Sequence, residues 1–499
     1  KKNENIKKAI ILMLDQKNYV RPQHISGAAI SYIMIDPSIK KLINYFSFKK
    51  SKLSIEKVIL ELSKVEVLIK FMKVYPLINL ELENFLIQLR KLILRSINSL
   101  QLNNQGLKFL EALALQCFTN EYIYPKCEEE IEKLTIIEQS IDESINKQIQ
   151  PNCKLILCVA AYRPLHKYKW SRFIIKTPLI NETFLRQIEE PSKENNLKLN
   201  IKSLEKISNT VSNKVKTQYE ENPYPRWVNL GLKYNPLTIS EHIKKINLKL
   251  FDNKLEKNQN PEILIAGCGT GQHAIEYASH LKNSSVLAID LSLSSLAYAK
   301  RNTIALKIKN INYNQIDILN LEKLRKNFDI IQCVGVLHHM QNPMAGWRIL
   351  KNCLKSGGLM KIGLYSSRAR NYINQIRNKI DRLQISSTEK DMISFRESLK
   401  KTDDETIRKI ELINDFYSLS DFRDLLFNVQ EQTFNINQIQ NCLKELNLKF
   451  CGFEGLNYKR FNLMNTQDVD KYSLDYWEQI EKENPEIFIG MYQFWCQKI

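Results

Sequence analysis

The segment from Glu262 to His273 constrains the fold of this chain more than any other. It reads Glu-Ile-Leu-Ile-Ala-Gly-Cys-Gly-Thr-Gly-Gln-His, which predicts a strand that runs into a glycine-rich turn and then into a helix. Glycine at positions 267, 269 and 271 lets the backbone pass close to a ligand, because no Cβ stands in the way. We therefore expect a ligand site at the carboxyl end of this strand.

Short β-rich runs alternate with helical patterns from this segment onward. The predicted strands are Ile263–Ala266, Val286–Ile289, Ile311–Gln315, Ile330–Val334 and Leu359–Leu364, followed after a helical interval by Lys449–Glu454 and Phe488–Gln493. Strands that alternate with helices are typical of a parallel sheet covered by helices on both faces. The fold class is therefore α/β in this part of the chain.

The rest of the chain has a helical pattern. Apolar residues three and four positions apart recur from Ile6 to Ile149, which predicts an all-α domain, and further helices are expected at Ser203–Glu221, Ser420–Glu431 and Ile436–Leu446. The predicted organisation is a helical N-terminal domain (1–200), a linker and lid segment (201–254), a ligand-binding core (255–365), a helical insertion over the site (366–446) and the last strands of the core (447–499).

Polar residues follow the predicted strands at one edge of the sheet. Asp290 ends the second strand, where a carboxylate can accept hydrogen bonds from both ribose hydroxyls of a nucleoside. Asp317 follows the third strand, where an acid can meet an adenine amino group. Gly335, His338 and His339 follow the fourth strand at the same edge, and together these residues predict a nucleoside site.

The glycine spacing is G-x-G-x-G, without the G-x-G-x-x-G of a dinucleotide site, and G-x-x-x-x-G-K-[ST] is absent. The sequence resembles class I S-adenosylmethionine-dependent methyltransferases over about residues 255–370 and, more loosely, 447–499. The resemblance implies a Rossmann-like seven-stranded sheet, parallel with an antiparallel last strand. It also implies that S-adenosylmethionine is the cofactor, with the three glycines beside its methionine part, Asp290 at the ribose, Asp317 at the adenine and Gly335 in the same cleft.

A second group of motifs narrows this resemblance. Tyr219-Glu-Glu-Asn-Pro-Tyr-Pro-Arg-Trp227, Gly335-Val-Leu-His-His339 and Gly363-Leu-Tyr365 are similar to segments of bacterial methyltransferases that often carry a tetratricopeptide-like helical region in front of the core. No tetratricopeptide pattern is visible in this sequence. The resemblance implies a methyltransferase domain preceded by an all-α domain.

Several residues are candidates for the methyl-transfer step. His338 and His339 are candidate general bases, and the alternative is that one of them only packs within its loop. Tyr219 and Tyr224 are candidate catalytic residues of a lid, although the prolines beside them also fit a rigid linker between domains. The candidate substrate-binding residues are Arg226, Trp227, Tyr365, Tyr417 and Arg423, and the polar residues of the insertion could equally form a solvated helix face.

Composition excludes several classes of protein. The net charge of +19 comes mostly from lysine, and a solvated lysine-rich helix surface explains it better than a nucleic-acid site. The scattered cysteines and histidines show no metal-ligand spacing, so we expect no metal. No run of about 18 apolar residues occurs, and we expect a cytoplasmic protein without a membrane partner. The chain begins Lys1-Lys2 without Met, as a fragment would.

Three functions fit these features. The first is methyl transfer to a small metabolite or biosynthetic intermediate, because no N/D-P-P-Y/F tetrapeptide follows the fourth strand. The second is methylation of a protein that the helical N-terminal domain captures. The third is a non-catalytic helical scaffold with a vestigial cofactor domain, which the intact glycine turn and Asp290 argue against.

Overall fold

The computed structural model describes residues 3–47, 54–456 and 470–499. Its α-helices are α1 (Glu4–Asp15), α2 (Ser26–Met34), α3 (Pro37–Ser47), α4 (Ile55–Ser63), α5 (Glu66–Met72), α6 (Leu80–Ser96), α7 (Asn104–Thr119), α8 (Glu128–Asn146), α9 (Cys153–Ala160), α10 (Asn181–Phe184), α11 (Glu190–Lys198), α12 (Thr210–Glu221), α13 (Ile239–Ile246), α14 (Gln272–His280), α15 (Leu293–Ala305), α16 (Pro343–Asn352), α17 (Asn371–Arg382), α18 (Glu389–Leu399), α19 (Glu405–Arg408), α20 (Leu419–Leu426), α21 (Ile436–Glu445) and α22 (Leu474–Glu483). Its strands are β1 (Lys202–Ser203), β2 (Glu262–Ala266), β3 (Ser285–Asp290), β4 (Ile311–Gln315), β5 (Phe328–Val334), β6 (Leu354–Leu364), β7 (Leu448–Phe453) and β8 (Tyr492–Lys498).

The chain forms two compact units, each assembled from separate parts of the sequence. The helical unit comprises residues 1–193, 226–231 and 384–425. The sheet unit comprises residues 194–225, 232–383 and 426–499. Residues 384–425, which lie in the predicted insertion, thus pack with the N-terminal helices.

A buried ion pair joins distant parts of the helical unit. The guanidinium of Arg396 on α18 donates to both carboxylate oxygens of Glu83 on α6, at 2.8 and 2.7 Å. The ammonium of Lys400 donates to the same carboxylate at 2.6 Å. Burial alone would raise the pKa of Glu83, but Arg396 and Lys400 hold that pKa below its usual range. The pair therefore fixes α18 against α6 across more than 300 positions of sequence.

One mixed sheet organises the sheet unit. Its described strands follow the order β1-β4-β3-β2-β5-β6-β8-β7, and neighbours from β1 to β6 pair in parallel. β8 is antiparallel to both β6 and β7. Helices flank strands that are almost wholly buried, as in β5 and β6. The predicted fold class, a mostly parallel sheet with an antiparallel end behind a helical region, is confirmed, with the two-residue strand β1 as an unpredicted addition.

Three predicted elements have different bounds in the structure. The last strand is Tyr492–Lys498 rather than Phe488–Gln493, because Phe488 packs in the core before the strand begins. The helix predicted from Ser203 begins at Thr210, where Asn209 caps it. The helix predicted to reach Glu431 ends at Leu426, so Asp424 and Glu431 do not share a helical face and belong to different units.

Three observations bear on the class of protein. All ten cysteines are free thiols. Within residues 3–47, 54–456 and 470–499, no helix combines the length and apolar character needed to cross a bilayer. Those same residues contain no group of three His, Cys, Asp or Glu side chains placed to hold a metal ion.

We expect Glu83→Gln to lower the free energy of unfolding of the helical unit by about 3 kcal/mol or more, because Arg396 then stays buried without its counter-charge. Urea denaturation followed by circular dichroism measures this change. Glu61→Gln is the matched control, because Glu61 pairs with Lys64 on the surface. This substitution should lower the free energy of unfolding by at most about 0.5 kcal/mol. Equal losses in the two variants would contradict the role of the buried pair.

Candidate active site

The glycine turn after β2 packs too tightly for side chains. Gly267 has φ +73°, and a Cβ built there would lie 2.3 Å from Cγ2 of Val336. Gly269 has φ +52°, and its Cβ would lie 2.6 Å from the carbonyl oxygen of Tyr224. Both the backbone conformation and the space therefore require glycine.

The segment before the core lies directly on this turn. The amide of Thr270 donates to the carbonyl oxygen of Tyr224 at 3.3 Å. The hydroxyl of Thr270 donates to the carbonyl oxygen of Pro225. The hydroxyl of Ser292, at the start of α15, donates to the carbonyl oxygen of Tyr219 at 2.9 Å. The predicted lid residues Tyr219 and Tyr224 are thus held beside the glycine turn.

Asp290 ends β3 next to the turn. One carboxylate oxygen accepts the amide of Gly269 at 2.8 Å, and the other accepts the amide of Ser292 at 2.9 Å. Burial raises the pKa of Asp290 and outweighs the backbone hydrogen bonds, with Glu220 adding a smaller upward effect. None of the described Lys or Arg side chains pairs with it. Such a carboxylate is oriented by the backbone and suits neutral hydroxyl donors.

The other predicted cofactor residues line the ends of neighbouring strands. Asp317 follows β4, is 5% exposed, and its Oδ1 accepts the amide of Leu319 at 3.0 Å as the cap of a 3-10 helix. Gly335 follows β5 with φ +76°, and its amide donates to the carbonyl oxygen of Gly363 at 3.2 Å. The parallel strands therefore bring Gly267, Asp290, Asp317 and Gly335 to one edge of the sheet.

The two histidines after β5 have different environments. His338 is fully buried, and neither of its ring nitrogens makes a well-formed hydrogen bond with a described residue. Burial, with His339 and Arg370 nearby, lowers the pKa of His338 well below its usual value, so its ring stays neutral. His339 instead donates from Nδ1 to the carbonyl oxygen of Gln430 at 2.6 Å. In the neutral ring this bond leaves Nε2 as the proton acceptor.

Tyr365 lies beside these histidines at the end of β6. Its ring centroid is 4.3 Å from that of His338, whose ring is in turn 4.2 Å from that of His339. The guanidinium carbon of Arg370 lies 3.4 Å from the Tyr365 ring centroid. The rings of Tyr365, His338 and His339 thus form one contiguous group, and Arg370 stacks on the Tyr365 ring.

Residues 428–432, part of which was expected to end the predicted helix Ser420–Glu431, form no regular secondary structure and connect these parts. Gln432 donates its amide to the carbonyl oxygen of His338 at 2.9 Å, while the carbonyl of Gln430 holds His339. The side-chain amide of Asn428 donates to the hydroxyl of Tyr219 at 3.1 Å. The 428–432 segment therefore joins the histidine turn to the end of α12.

Four predicted substrate residues lie in the helical unit. Arg226 pairs with Glu121 at 3.0 Å, and the buried Trp227 belongs to the same short segment. The hydroxyl of Tyr417 donates to the carbonyl oxygen of Glu411 at 2.9 Å. Arg423 donates to the carbonyl oxygen of Ser387 at 3.1 Å. Arg226, Tyr417 and Arg423 thus bond within the helical unit, and the role of all four residues in substrate binding stays a prediction.

Comparisons with known proteins agree with this geometry. Residues 263–358 match a family model described as a methyltransferase domain. An uncharacterized protein from Synechococcus is 29% identical over 243 residues, covering 46% of this chain and 58% of that protein. The ubiquinone biosynthesis O-methyltransferase of Coxiella burnetii is 33% identical over 135 residues, covering 26% of this chain and 53% of the relative.

The solved structure of PKMT2 from Rickettsia typhi in complex with AdoHcy is also similar to this chain. It has 17% sequence identity and a TM-score of 0.38, and the match covers 53% of this chain and 55% of that one. The chain spans little more than half the length of the curated relatives named above.

The fold, the glycine turn and the matched family define the class of protein. The C-terminal half of the chain carries an S-adenosylmethionine-dependent methyltransferase domain, and a helical N-terminal region precedes it. The cofactor is S-adenosylmethionine, as the resemblance implied. The residues present fit this cofactor, since a buried carboxylate with no cationic partner among the described residues, beside a turn with glycine at positions 267, 269 and 271, suits the two ribose hydroxyls.

We expect Gly269→Ala to weaken cofactor binding at least tenfold and to lower the melting temperature. A Cβ at φ +52° is strained, and it would displace the Tyr224 carbonyl from the turn. Calorimetry with S-adenosylhomocysteine and a thermal melt measure the two effects. Gly490→Ala, where a Cβ meets nothing within 4 Å, should change neither value. Normal binding by the Gly269 variant would refute the packing argument.

We expect Asp290→Asn to weaken binding of S-adenosylhomocysteine at least tenfold, because an amide cannot accept both ribose hydroxyls. The pKa of Asp290 is raised, so this carboxylate takes up a proton at a higher pH than an ordinary aspartate does. We therefore expect the affinity of the wild type for S-adenosylhomocysteine to fall on acidification, beginning at that higher pH. The variant should lack that dependence. Asp329→Asn, at the opposite end of β5, is the control. Unchanged affinity in the Asp290 variant would remove this residue from the cofactor site.

Proposed function

We propose that the chain transfers a methyl group from S-adenosylmethionine to a small metabolite or biosynthetic intermediate whose nucleophile begins as a hydroxyl. The observation that carries this proposal is the placement of His339 after β5, at the same sheet edge as Asp290 after β3. The similarity to a ubiquinone biosynthesis O-methyltransferase supports a small acceptor.

The cofactor, when bound, supplies a sulfonium methyl that is already activated for in-line displacement. The task of the protein is then to hold the acceptor in line in a site without water. Gly267 to Gly271 and Asp290 would hold the cofactor, with Asp317 and Gly335 at the adjoining strand ends. No metal is needed for this chemistry.

His339 is the proposed general base. Its Nδ1–H is held by the carbonyl of Gln430, so Nε2 can accept the proton of an acceptor hydroxyl. His338 is fully enclosed and stays neutral, and we assign it a packing role beside Tyr365.

Tyr219 and Tyr224 are proposed to exclude water from the site. Their rings stack at 6.3 Å beside the glycine turn, and the bond from Asn428 to Tyr219 connects them to the 428–432 segment. This arrangement supports, within the sheet unit, the predicted closure of the site by the linker and by part of the insertion.

The proposal is tested by incubating the purified protein with labelled S-adenosylmethionine and fractionated lysate. Label in small molecules is the expected result. Label only in protein would favour a protein methyltransferase, and cofactor binding without any label transfer would favour a scaffold.

We expect His339→Gln to lower turnover about 100-fold or more, since general-base catalysis contributes factors of this size. Initial rates of label transfer at saturating S-adenosylmethionine measure this effect. His280→Gln, at the end of α14, should behave as the wild type. A normal rate in the His339 variant would exclude its role as base.

A further inference from the structure

Two arginines share one carboxylate beside the candidate active site. Nη2 of Arg370 donates to Oε2 of Glu431 at 3.1 Å, and Nη1 of Arg377 lies 3.1 Å from the same oxygen. Nη2 of Arg377 also donates to the carbonyl oxygen of Asn428 at 3.1 Å. The side chain of Glu431 is 2% exposed and that of Arg370 8%. The carboxylate and Arg370 are therefore nearly enclosed, and the Arg377 side chain is 18% exposed.

The carboxylate in this group is poorly satisfied. Oε1 of Glu431 is buried and has no hydrogen-bond partner among the described residues. A buried carboxylate oxygen without a donor costs free energy, because it has lost its water and gained nothing in exchange. Glu431 therefore occupies the arginine pair while one of its own oxygens has no donor among the described residues.

The arginine pair adjoins the residues proposed to act on the acceptor. Arg370 stacks on Tyr365, whose ring contacts His338. Glu431 follows directly after Gln430, whose carbonyl holds His339. A group bound by the arginines would thus lie next to the aromatic and histidine surface at the ends of β5 and β6.

We propose that Arg370 and Arg377 bind a carboxylate of a small-molecule methyl acceptor, and that Glu431 occupies the position of that carboxylate in the ligand-free chain. This inference rests on the proposed function. Paired guanidinium groups match the planar geometry of a carboxylate, and a water-poor site strengthens the attraction. Binding exchanges a poorly satisfied internal carboxylate for a fully paired external one.

A purely structural role for the cluster makes a different prediction. If the arginines only tie α17 to the 428–432 segment, Glu431→Gln and Arg377→Gln should destabilise the protein in the same way. If Glu431 instead competes with the acceptor, Glu431→Gln should improve binding of an anion while Arg377→Gln abolishes it. The two variants therefore separate the roles.

Calorimetry with benzoate and its uncharged isostere benzamide tests the inference on the full chain. We expect the wild type to bind benzoate at least tenfold more tightly than benzamide, Arg377→Gln to lose this preference, and Glu431→Gln to bind benzoate at least threefold more tightly than the wild type. Arg382→Gln, an exposed position on the same helix, should match the wild type. Arg377→Lys, which keeps the charge, should retain part of the preference even if Arg377→Gln fails to fold.

Equal binding of the two probes by the wild type, or no binding of benzoate, would overturn the inference. So would a loss of benzoate binding in the Glu431 variant as large as that in the Arg377 variant.

The labelling experiment separates this inference from the proposed function. Label in small molecules that an anion exchanger retains supports both the proposed function and the carboxylate inference. Label only in uncharged compounds overturns the carboxylate inference and leaves methyl transfer to a small acceptor standing. If no label is transferred, the proposed function fails, and the benzoate measurement still decides whether the arginine pair binds a carboxylate.

Discussion

The close approach of backbone to backbone at Gly269 is the constraint on which the site depends. Gly269 lies against the Tyr224 carbonyl, and its amide donates a hydrogen bond to the Asp290 carboxylate. The segment before the core, the glycine turn and the end of β3 are thus joined through one residue without a side chain. This contact brings an oriented carboxylate and a pair of tyrosines to the same edge of the sheet, where ligands of open α/β sheets bind.

The 428–432 segment completes the arrangement from the other side of the sequence. It bonds to Tyr219 at the end of α12, to the histidine turn after β5 and to Arg377 on α17. Because it has no regular secondary structure, the carbonyl groups of Asn428 and Gln430 are free to accept the bonds from Arg377 and His339. We regard it as the element that sets the tautomer of His339 and holds Glu431 against the arginines.

Local sequence patterns predicted the parts of the fold that local interactions determine. Periodicity and spacing predicted the strand and glycine turn at Glu262–His273. They also predicted the strand that ends at Asp290 and the turn with His338 that follows β5. The path of residues 384–425 could not be predicted this way, since it depends on the contact of Arg396 with Glu83, 313 positions earlier.

Long-range packing also explains why several residues lie elsewhere than the sequence pattern placed them. Tyr417 and Arg423 looked like part of a lid because they follow the fifth predicted strand, but their bonds lie within the helical unit. Gln430 and Glu431 were expected at the end of a helix, but that helix ends at Leu426. Arg370 and Arg377 were not expected at the site, and the available signal was their spacing of seven residues, or two helical turns.

The assignment of the cofactor site can be tested by a crystal structure of the protein with S-adenosylhomocysteine. We expect electron density for the nucleoside at the carboxyl edge of β2 and β3, with both ribose hydroxyls within hydrogen-bond distance of the Asp290 carboxylate. We also expect the sulfur on the side that faces His339. Density elsewhere, or a ribose that does not contact Asp290, would show that the site is assigned wrongly.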